Sequence, residues 1–395
     1  MIHLQIPRSS NNLYKHIDCI ENDNNDHHLS NALSYYLNDI KKRIETQENE
    51  WDIYKRYTNP FEYIHTCVPG KRKCVAKVKP LSRSYFKMIE LTRFFHLLDS
   101  YQDMPTLKSF HLAEGPGGFI EALSHIRNNR NDTYIGMTIL DDTHDKNIPA
   151  WKKSQHFLKE NPHVQIETGA DGTGDLLSIA NLDHCYENYA SSMNIITGDG
   201  GFDFSVDFNS QEKNVTKLLF AQALYAIVMQ CKSGSFILKI FDCFTHSTVD
   251  IITILSSFYE KVYITKPQTS RYANSEKYLV CKGFHFTRIH HIYPHLRSVF
   301  EKVLSSQSIS RLLNIPSTLI METKIEEYNA IFGQQQIESI HYTLSLLEHK
   351  NKTEKVDNLI KSHVHKCIQW CIRYQVPYHT LHNTQNSFVE EQYVK

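Results

Sequence analysis

The sequence predicts an α/β protein, a mostly parallel seven-stranded sheet with an antiparallel last strand, an N-terminal extension and a helical C-terminal addition. Three observations carry this. Between residues 84 and 286, strand-like apolar runs alternate with helical patterns. The last two runs, KVYITKP (261–267) and EKYLVCKGFHF (276–286), are about eight residues apart. That is too short for a helical crossover, so they must pair antiparallel. The stretch LKSFHLAEGPGGFI (107–120) reads as a buried strand that ends in an acid and a glycine-rich turn, then opens a helix.

The elements follow in order. Residues 1–50 are polar, with ENDNNDHH at 21–28 and a helix predicted at about 29–47 from Leu33, Tyr36, Leu37, Ile40 and Ile44. The segment KRKCVAKVKPLSRSYFK (71–87) contains seven Lys or Arg and no acid. Read by itself it is a solvated loop; its functional reading is a phosphate-binding rim. SYFKMIELTRFFHLLD (84–99) carries an apolar face of Met88, Leu91, Phe94, Phe95 and Leu98, which suits a helix packed on the sheet. After the strand and turn at 107–118 come a helix to about 127 and strands at 134–140, 164–168 and 193–201. An amphipathic helix at 211–231, a strand at 234–242 and a helix at about 246–259 precede the last two strands. SSQSIS (305–310) reads as a linker, and helices fill most of 292–376. The expected organisation is an extension over 1–79, a central domain over 80–290 and a helical region over 291–395.

Composition bounds the function. Hydrophobic content of 41% and charged content of 22% suit a soluble globular chain with a sizeable core. The formal net charge of +0 means that any nucleic-acid contact must use a local patch. No apolar run is long enough to span a bilayer, so no membrane association is expected. Nine cysteines at scattered spacings, behind a start that lacks a signal-peptide core, suit reduced thiols in a cytosolic or nuclear compartment.

Several residues stand out chemically. The turn EGPGG (114–118) is neither G-x-G-x-x-G nor a P-loop. Glycines there let backbone N–H groups approach a ligand. Glu114 at the strand end would repel a pyrophosphate and suit a ligand with an amino group and a positive centre; S-adenosylmethionine is one. Open α/β sheets bind ligands at the carboxyl ends of their strands, where Asp199 sits in GDGG; alone it is equally an ordinary turn former. Lys239 interrupts the apolar strand FILKIF. Burying it charged costs several kcal/mol unless it is paired or loses its proton; otherwise it is an edge lysine reaching solvent. Glu276 opens the last strand and alone reads as a surface acid. His363, His365, Cys367 and Cys371 form H-x-H-x-C-x3-C, which matches no common zinc site. Helix packing is the reading adopted, with no metal.

Together, SRSYFK (82–87), HLAEGPGGF (111–119), GDGG (198–201), GSFILKIFD (234–242) and KPQTSRYANSEKYLVCKGF (266–284) resemble the FtsJ-like RNA ribose 2′-O-methyltransferases. IGMT (135–138) and ADGTGDL (170–176) look like the Adrift-type branch that methylates the mRNA cap. The resemblance covers about residues 80–287. It implies a Rossmann-like methyltransferase fold, S-adenosyl-L-methionine as cofactor without a metal, and capped mRNA as partner. It also implies a Lys-Asp-Lys-Glu tetrad at Lys87, Asp199, Lys239 and Glu276. Cofactor contacts would fall on Glu114, Gly115, Pro116, Gly117, Gly118, Phe119, Asp175 and Asp199. Asp141 and Asp142 are candidates for the cofactor ribose. Lys71, Arg72, Lys73, Lys77, Lys79 and Arg83, with Arg271 of SRYANSE, are the candidate RNA contacts. Other capping or transcription proteins would dock on the C-terminal helices. The family also occurs in large DNA viruses with their own capping systems, which would place such a chain in the virion or at a cytoplasmic replication site. Another RNA target, ribosomal or transfer RNA, and a non-catalytic RNA-binding scaffold are the alternatives.

The implied chemistry fits the residue types. A ribose 2′-hydroxyl is a weak nucleophile and needs a base as it attacks a sulfonium methyl. Lys239 can serve only as the neutral amine. Its reference pKa of about 10.4 must therefore fall, through burial and neighbouring Lys87. Asp199 and Glu276 pull the other way, so their expected role is to orient the lysines and the hydroxyl.

Overall fold

The computed structural model describes residues 1–21, 29–140, 150–201, 211–349 and 353–379. Asp141 and Asp142 lie outside these residues. The N-terminal part contributes β1 (His3–Gln5), β2 (Ile17–Glu21), α1 (Asn31–Glu45) and α2 (Glu48–Thr58). The central part runs α3 (Ser84–Phe94), β3 (Lys108–Leu112), α4 (Gly118–Arg127), β4 (Thr133–Met137), α5 (Gln155–Glu160) and β5 (Val164–Glu167). It continues with α6 (Ile179–Tyr189), β6 (Met193–Gly198), α7 (Gln211–Met229), β7 (Gln230–Ile240), α8 (His246–Phe258), β8 (Tyr259–Thr265) and β9 (Lys277–Phe284). The rest is α9 (Tyr293–Ser305), β10 (Ile309–Leu313), α10 (Leu319–Glu348) and α11 (Thr353–Arg373). No described helix is long and apolar enough to cross a membrane.

The main sheet has the order β1-β8-β9-β7-β6-β3-β4-β5. Strands β3 to β7 are mutually parallel, and β9 is antiparallel to both β7 and β8, as the short connection requires. The sheet therefore has eight strands, one more than the seven expected. The addition is β1, which pairs antiparallel with β8 through His3, Leu4 and Gln5. Three residues reading HLQ carry too little alternation to announce a strand. Along each strand, successive side chains enter opposite cores. Phe236 and Leu238 of β7 face the side covered by α7 and α8, while Ile237 faces the side covered by α3, α4 and α11. A third core packs α1 and α2 against α10 through Leu37, Ile40, Trp51, Ile340 and Leu344.

The expected linker at 305–310 is also corrected. Ser305 closes α9, and Ile309–Leu313 forms β10, antiparallel to β2. Its partner lies almost 300 residues away, so local sequence could not reveal the pairing. Buried Asp250 of α8 accepts the backbone N–H groups of Leu312 (2.8 Å) and Leu313 (3.2 Å) and a two-pronged pair from Arg311, at 2.7 and 2.9 Å. At the other end, His363, Cys367, Trp370 and Cys371 form the buried face of α11. His365 is exposed.

Breaking a buried ion pair by removing one partner costs about 3–5 kcal/mol. Arg311→Met should lower unfolding stability by about this amount, because Asp250 stays buried without its counter-charge; urea unfolding of the full chain measures it.

Candidate active site at the carboxyl ends of the strands

The parallel strands all end at one edge of the sheet. Gly198, at the end of β6, lies opposite Leu112 of β3 and Leu238 of β7. Strand β9 runs the other way, so its beginning reaches the same edge: Lys239 pairs with Tyr278 and Ile240 with Lys277. Asp199 just past β6, Lys239 near the end of β7 and Glu276 just before β9 therefore converge. Lys87 arrives from the first turn of α3.

The four implied tetrad residues form two contacts. Lys87 Nζ lies 2.6 Å from Glu276 Oε1. Lys239 Nζ donates to the Asp199 carbonyl at 2.5 Å and lies 3.4 Å from Asp199 Oδ1. Lys87 is 4% exposed and Glu276 9%, so that pair is nearly dry, whereas Lys239 and Asp199 are half-buried. Burial alone would raise the Glu276 carboxyl, but Lys87 and then Lys239 outweigh it and hold it well below the usual carboxylate range. Burial depresses Lys87, and Glu276 opposes that shift.

Sequence reasoning missed the neighbours that hold these groups. Tyr278 Oη donates to Asp199 Oδ1 at 2.9 Å, and its ring lies 5.9 Å from Lys87 Nζ. Ser270 Oγ donates to the same Glu276 oxygen that meets Lys87, at 2.9 Å. Gln222 accepts the Gly200 N–H at 3.0 Å. Tyr278 was findable, since a residue two after Glu276 along a strand shares its side. Ser270 and Gln222 carried no comparable signal.

The turn departs from expectation. Three amides in and just after it are taken up internally: Glu114 Oε1 accepts from Phe119 N at 2.8 Å and Ile120 N at 3.1 Å, and the Glu114 carbonyl accepts from Gly117 N at 2.8 Å. Glu114 thus caps α4, and these amides are not offered to an anion. Gly117 sits at φ +106, open to glycine at little cost. A Cβ on Gly118 would collide with the hydroxyls of Ser82 and Ser84, so the turn and SRSYFK fit only as a matched pair. Gly115 packs against the Ala150 carbonyl, and Ser154 Oγ donates to the Pro116 carbonyl. Phe119 is fully buried. Asp175, half-buried, accepts Leu177 N at 2.9 Å in a loop held to the end of β4 by Leu140 N and the Thr173 carbonyl, 2.9 Å apart.

The basic segment has an ordered backbone. Val75 N and Ala76 N donate to the carbonyls of Tyr63 and Ile64, at 2.8 and 3.1 Å. Arg72, Lys73 and Lys79 are exposed, and Lys71, Lys77 and Arg83 half-buried. Arg83 lies close enough to act on both Lys87 and Glu276. Arg271 stands apart from this group. Its Nε and Nη2 grip buried Glu62 at 2.9 and 2.7 Å, which helps to hold the Glu62 carboxyl, despite its burial, at about 2. That geometry makes Arg271 a brace between the loop before β9 and the segment after α2.

Residues 80–284 match the sequence model of the FtsJ-like methyltransferases, just over half of the chain, a span within which Lys87, Asp199, Lys239 and Glu276 all fall. The chain belongs to this family. Among curated relatives, two cap-specific mRNA (nucleoside-2′-O-)-methyltransferases 2 are similar. That of Pongo abelii is 28% identical over 350 residues, covering 85% of this chain and 44% of that protein. That of Danio rerio is 30% identical over 277 residues, 64% of this chain and 34% of that protein. A cap-specific mRNA (nucleoside-2′-O-)-methyltransferase 1 from Trypanosoma brucei brucei is 32% identical over 195 residues, covering 48% of this chain and 52% of that protein. The chain spans about half the length, or less, of these relatives.

As an FtsJ-like methyltransferase, the chain has an acidic mouth that suits a cationic methyl donor. Burial pushes the Glu114 carboxyl up to about 8, and the charge of Asp199 adds to the rise. Glu114, bonded by two backbone amides, and Asp199, bonded by Tyr278 and paired with Lys239, bring two carboxyls together at the strand ends, an arrangement that suits a ligand bearing an amino group and a positive centre.

The sign of this shift sets a stability profile. An acid raised from 4.5 to about 8 on folding stabilises the fold fully below 4.5, and that contribution is lost as pH rises towards 8. Glu114→Gln cannot ionise and keeps the Oε1 bonds. Relative to the unmodified chain it should gain thermal stability between pH 5 and pH 8, as read by melting curves at both values.

Proposed function

We propose that the chain is an S-adenosylmethionine-dependent 2′-O-ribose methyltransferase acting on the 5′ end of capped mRNA, with the first transcribed nucleotide as target. The observation that carries this reading is the convergence of Lys87, Asp199, Lys239 and Glu276 at one sheet edge beside the acidic turn. The names of the relatives support the cap as substrate.

Bound S-adenosylmethionine supplies a methyl on a cationic sulfur, so the leaving group departs as a neutral thioether. Glu114 and Asp199 would meet the donor's positive groups at the ends of β3 and β6, and Asp175 would face its adenosine end. Lys239 would take the hydroxyl proton as the ribose oxygen attacks, for which it must enter as the free amine. Asp199, fixed by Tyr278, holds Lys239 by two oxygens and so directs its nitrogen. Glu276, whose Oε1 already meets Lys87 and Ser270, serves best as the counter-charge that keeps Lys87 cationic beside the attacking oxygen. Lys71, Arg72, Lys73, Lys77, Lys79 and Arg83 would line the approach of the RNA phosphates. Arg271 contributes through its brace on Glu62.

General-base catalysis of this kind is worth about 10²–10⁴-fold. Lys239→Ala should lose methyl transfer to a short capped RNA by about that factor, with cofactor affinity by calorimetry within a few-fold of the unmodified chain. Mapping the modified nucleotide and comparing capped with uncapped RNA test the substrate. A Lys239→Ala chain as fast as the original would sink the mechanism, and equal rates on uncapped RNA would sink the cap assignment.

A further inference from the structure

Glu90 is a fully buried carboxylate with no part in the chemistry above. It lies on α3, three residues after Lys87, which places the two on neighbouring faces one turn apart. All of its described partners are donors. Gln268 N reaches Oε1 at 2.8 Å. Thr269 N at 3.1 Å, Thr269 Oγ1 at 3.0 Å and the Trp370 indole N–H at 3.3 Å all reach Oε2. Three of these four bonds hold one short piece of chain, the start of the loop between β8 and β9. The fourth comes from α11, beyond the span shared with the family.

That loop carries Ser270, and its end is Glu276. Its far side is fixed as well: buried Lys266 donates to the Asn274 carbonyl at 2.7 Å, to Asn274 Oδ1 at 2.9 Å and to the Glu276 carbonyl at 2.8 Å. The loop is therefore held at both ends, and the oxygen that meets Lys87 is shared with Ser270 inside it. A loop without regular structure has few backbone bonds of its own and relies on such side-chain anchors. Helix α3 thus bears the Lys87 amine on one turn and the anchor for its counter-charge on the next.

We infer that Glu90 is a positioning residue, which fixes residues 268–270 so that Ser270 and Glu276 meet Lys87, and that Trp370 makes α11 part of this support. The inference rests on the proposed methyl transfer for its kinetic consequence but not for its structural one. Displacement of a catalytic group by about 1 Å can cost on the order of 10²-fold in rate. The anchor touches neither end of the donor site, so the effect should fall on kcat.

The test uses the full chain with three variants. Glu90→Ala removes all four bonds. Glu90→Gln keeps an acceptor for the three donors at Oε2 and loses the bond from Gln268 N. Trp370→Phe removes the indole N–H while keeping an aromatic ring in the core. Two readouts are taken: amide hydrogen exchange at 268–269, and kcat and KM for S-adenosylmethionine on capped RNA. Glu90→Ala should exchange these amides at least about tenfold faster and lose about 10- to 100-fold in kcat, with KM for the cofactor moving less than about twofold. Glu90→Gln should recover part of both losses. Trp370→Phe should show both effects on a smaller scale, and it keeps the test decisive if Glu90→Ala does not fold. Unchanged exchange at 268–269 in Glu90→Gln and Trp370→Phe overturns the anchor whether or not the chain transfers a methyl. Faster exchange with an unchanged kcat overturns the positioning role.

Discussion

The ion pair between Lys87 and Glu276 joins the two ends of the methyltransferase span across a nearly dry space. Each charge alone would cost several kcal/mol to bury, and the pair is tolerable only if its geometry is good and the remaining valences are met. Ser270 supplies one valence on Glu276, and the Tyr278 ring lies beside the ammonium. This demand constrains the topology. A carboxylate at the start of a strand reaches the catalytic edge only if that strand runs against its parallel neighbours, which is what β9 does between β7 and β8. The antiparallel strand is thus an electrostatic device as much as a connection.

The same constraint shapes the donor side. A glycine-rich turn ahead of a helix ordinarily presents amides and a positive helix end to an anion. Here Glu114 occupies that end, takes two amides and leaves a mouth whose net demand is for positive charge. Glycines at 117 and 118 then serve packing: one permits the backbone angle and the other lets SRSYFK approach. That close approach delivers Lys87 beside the turn. Donor mouth and tetrad are therefore not independent modules. A change at Gly118 would be felt at Lys87 through Ser82 and Ser84.

Much of this was legible in the sequence. Long apolar runs gave β3, β4, β6, β7, β8 and β9, since buried central strands need continuous apolar character. Gly and acid punctuation located the catalytic edge, because irregular backbone and lone charges at strand ends are costly unless used. What escaped were long-range pairings of short segments. Strand β1 has three residues, and β10 finds β2 only after the chain has folded between them. Within the site, Lys239 stood out because a charge inside an apolar strand is conspicuous, whereas Lys87, Asp199 and Glu276 look ordinary one by one and were singled out through the family resemblance. Ser270 did not, because a hydroxyl in a polar loop looks the same whether or not it is bonded, and Gln222 did not, because a lone uncharged amide on helix α7 does not show where it points. Arg271 looked like a phosphate contact for the converse reason: sequence displays its charge but not Glu62, some 200 residues earlier.

The segments outside the family span are bound to the site rather than appended to it. After α11, Pro377 accepts the Lys77 N–H and His379 N donates to the Val75 carbonyl, both at 2.8 Å, with Ala76 and Tyr378 bridged between them. The basic segment that leads into α3 is therefore held on one side by Tyr63 and Ile64 and on the other by the end of α11. Like charges close together in sequence repel one another, and such backbone ties oppose the spreading apart of this segment. Because Trp370 of α11 also bonds Glu90, which holds the start of the loop that presents Glu276, the C-terminal part supports both the proposed RNA rim and that loop.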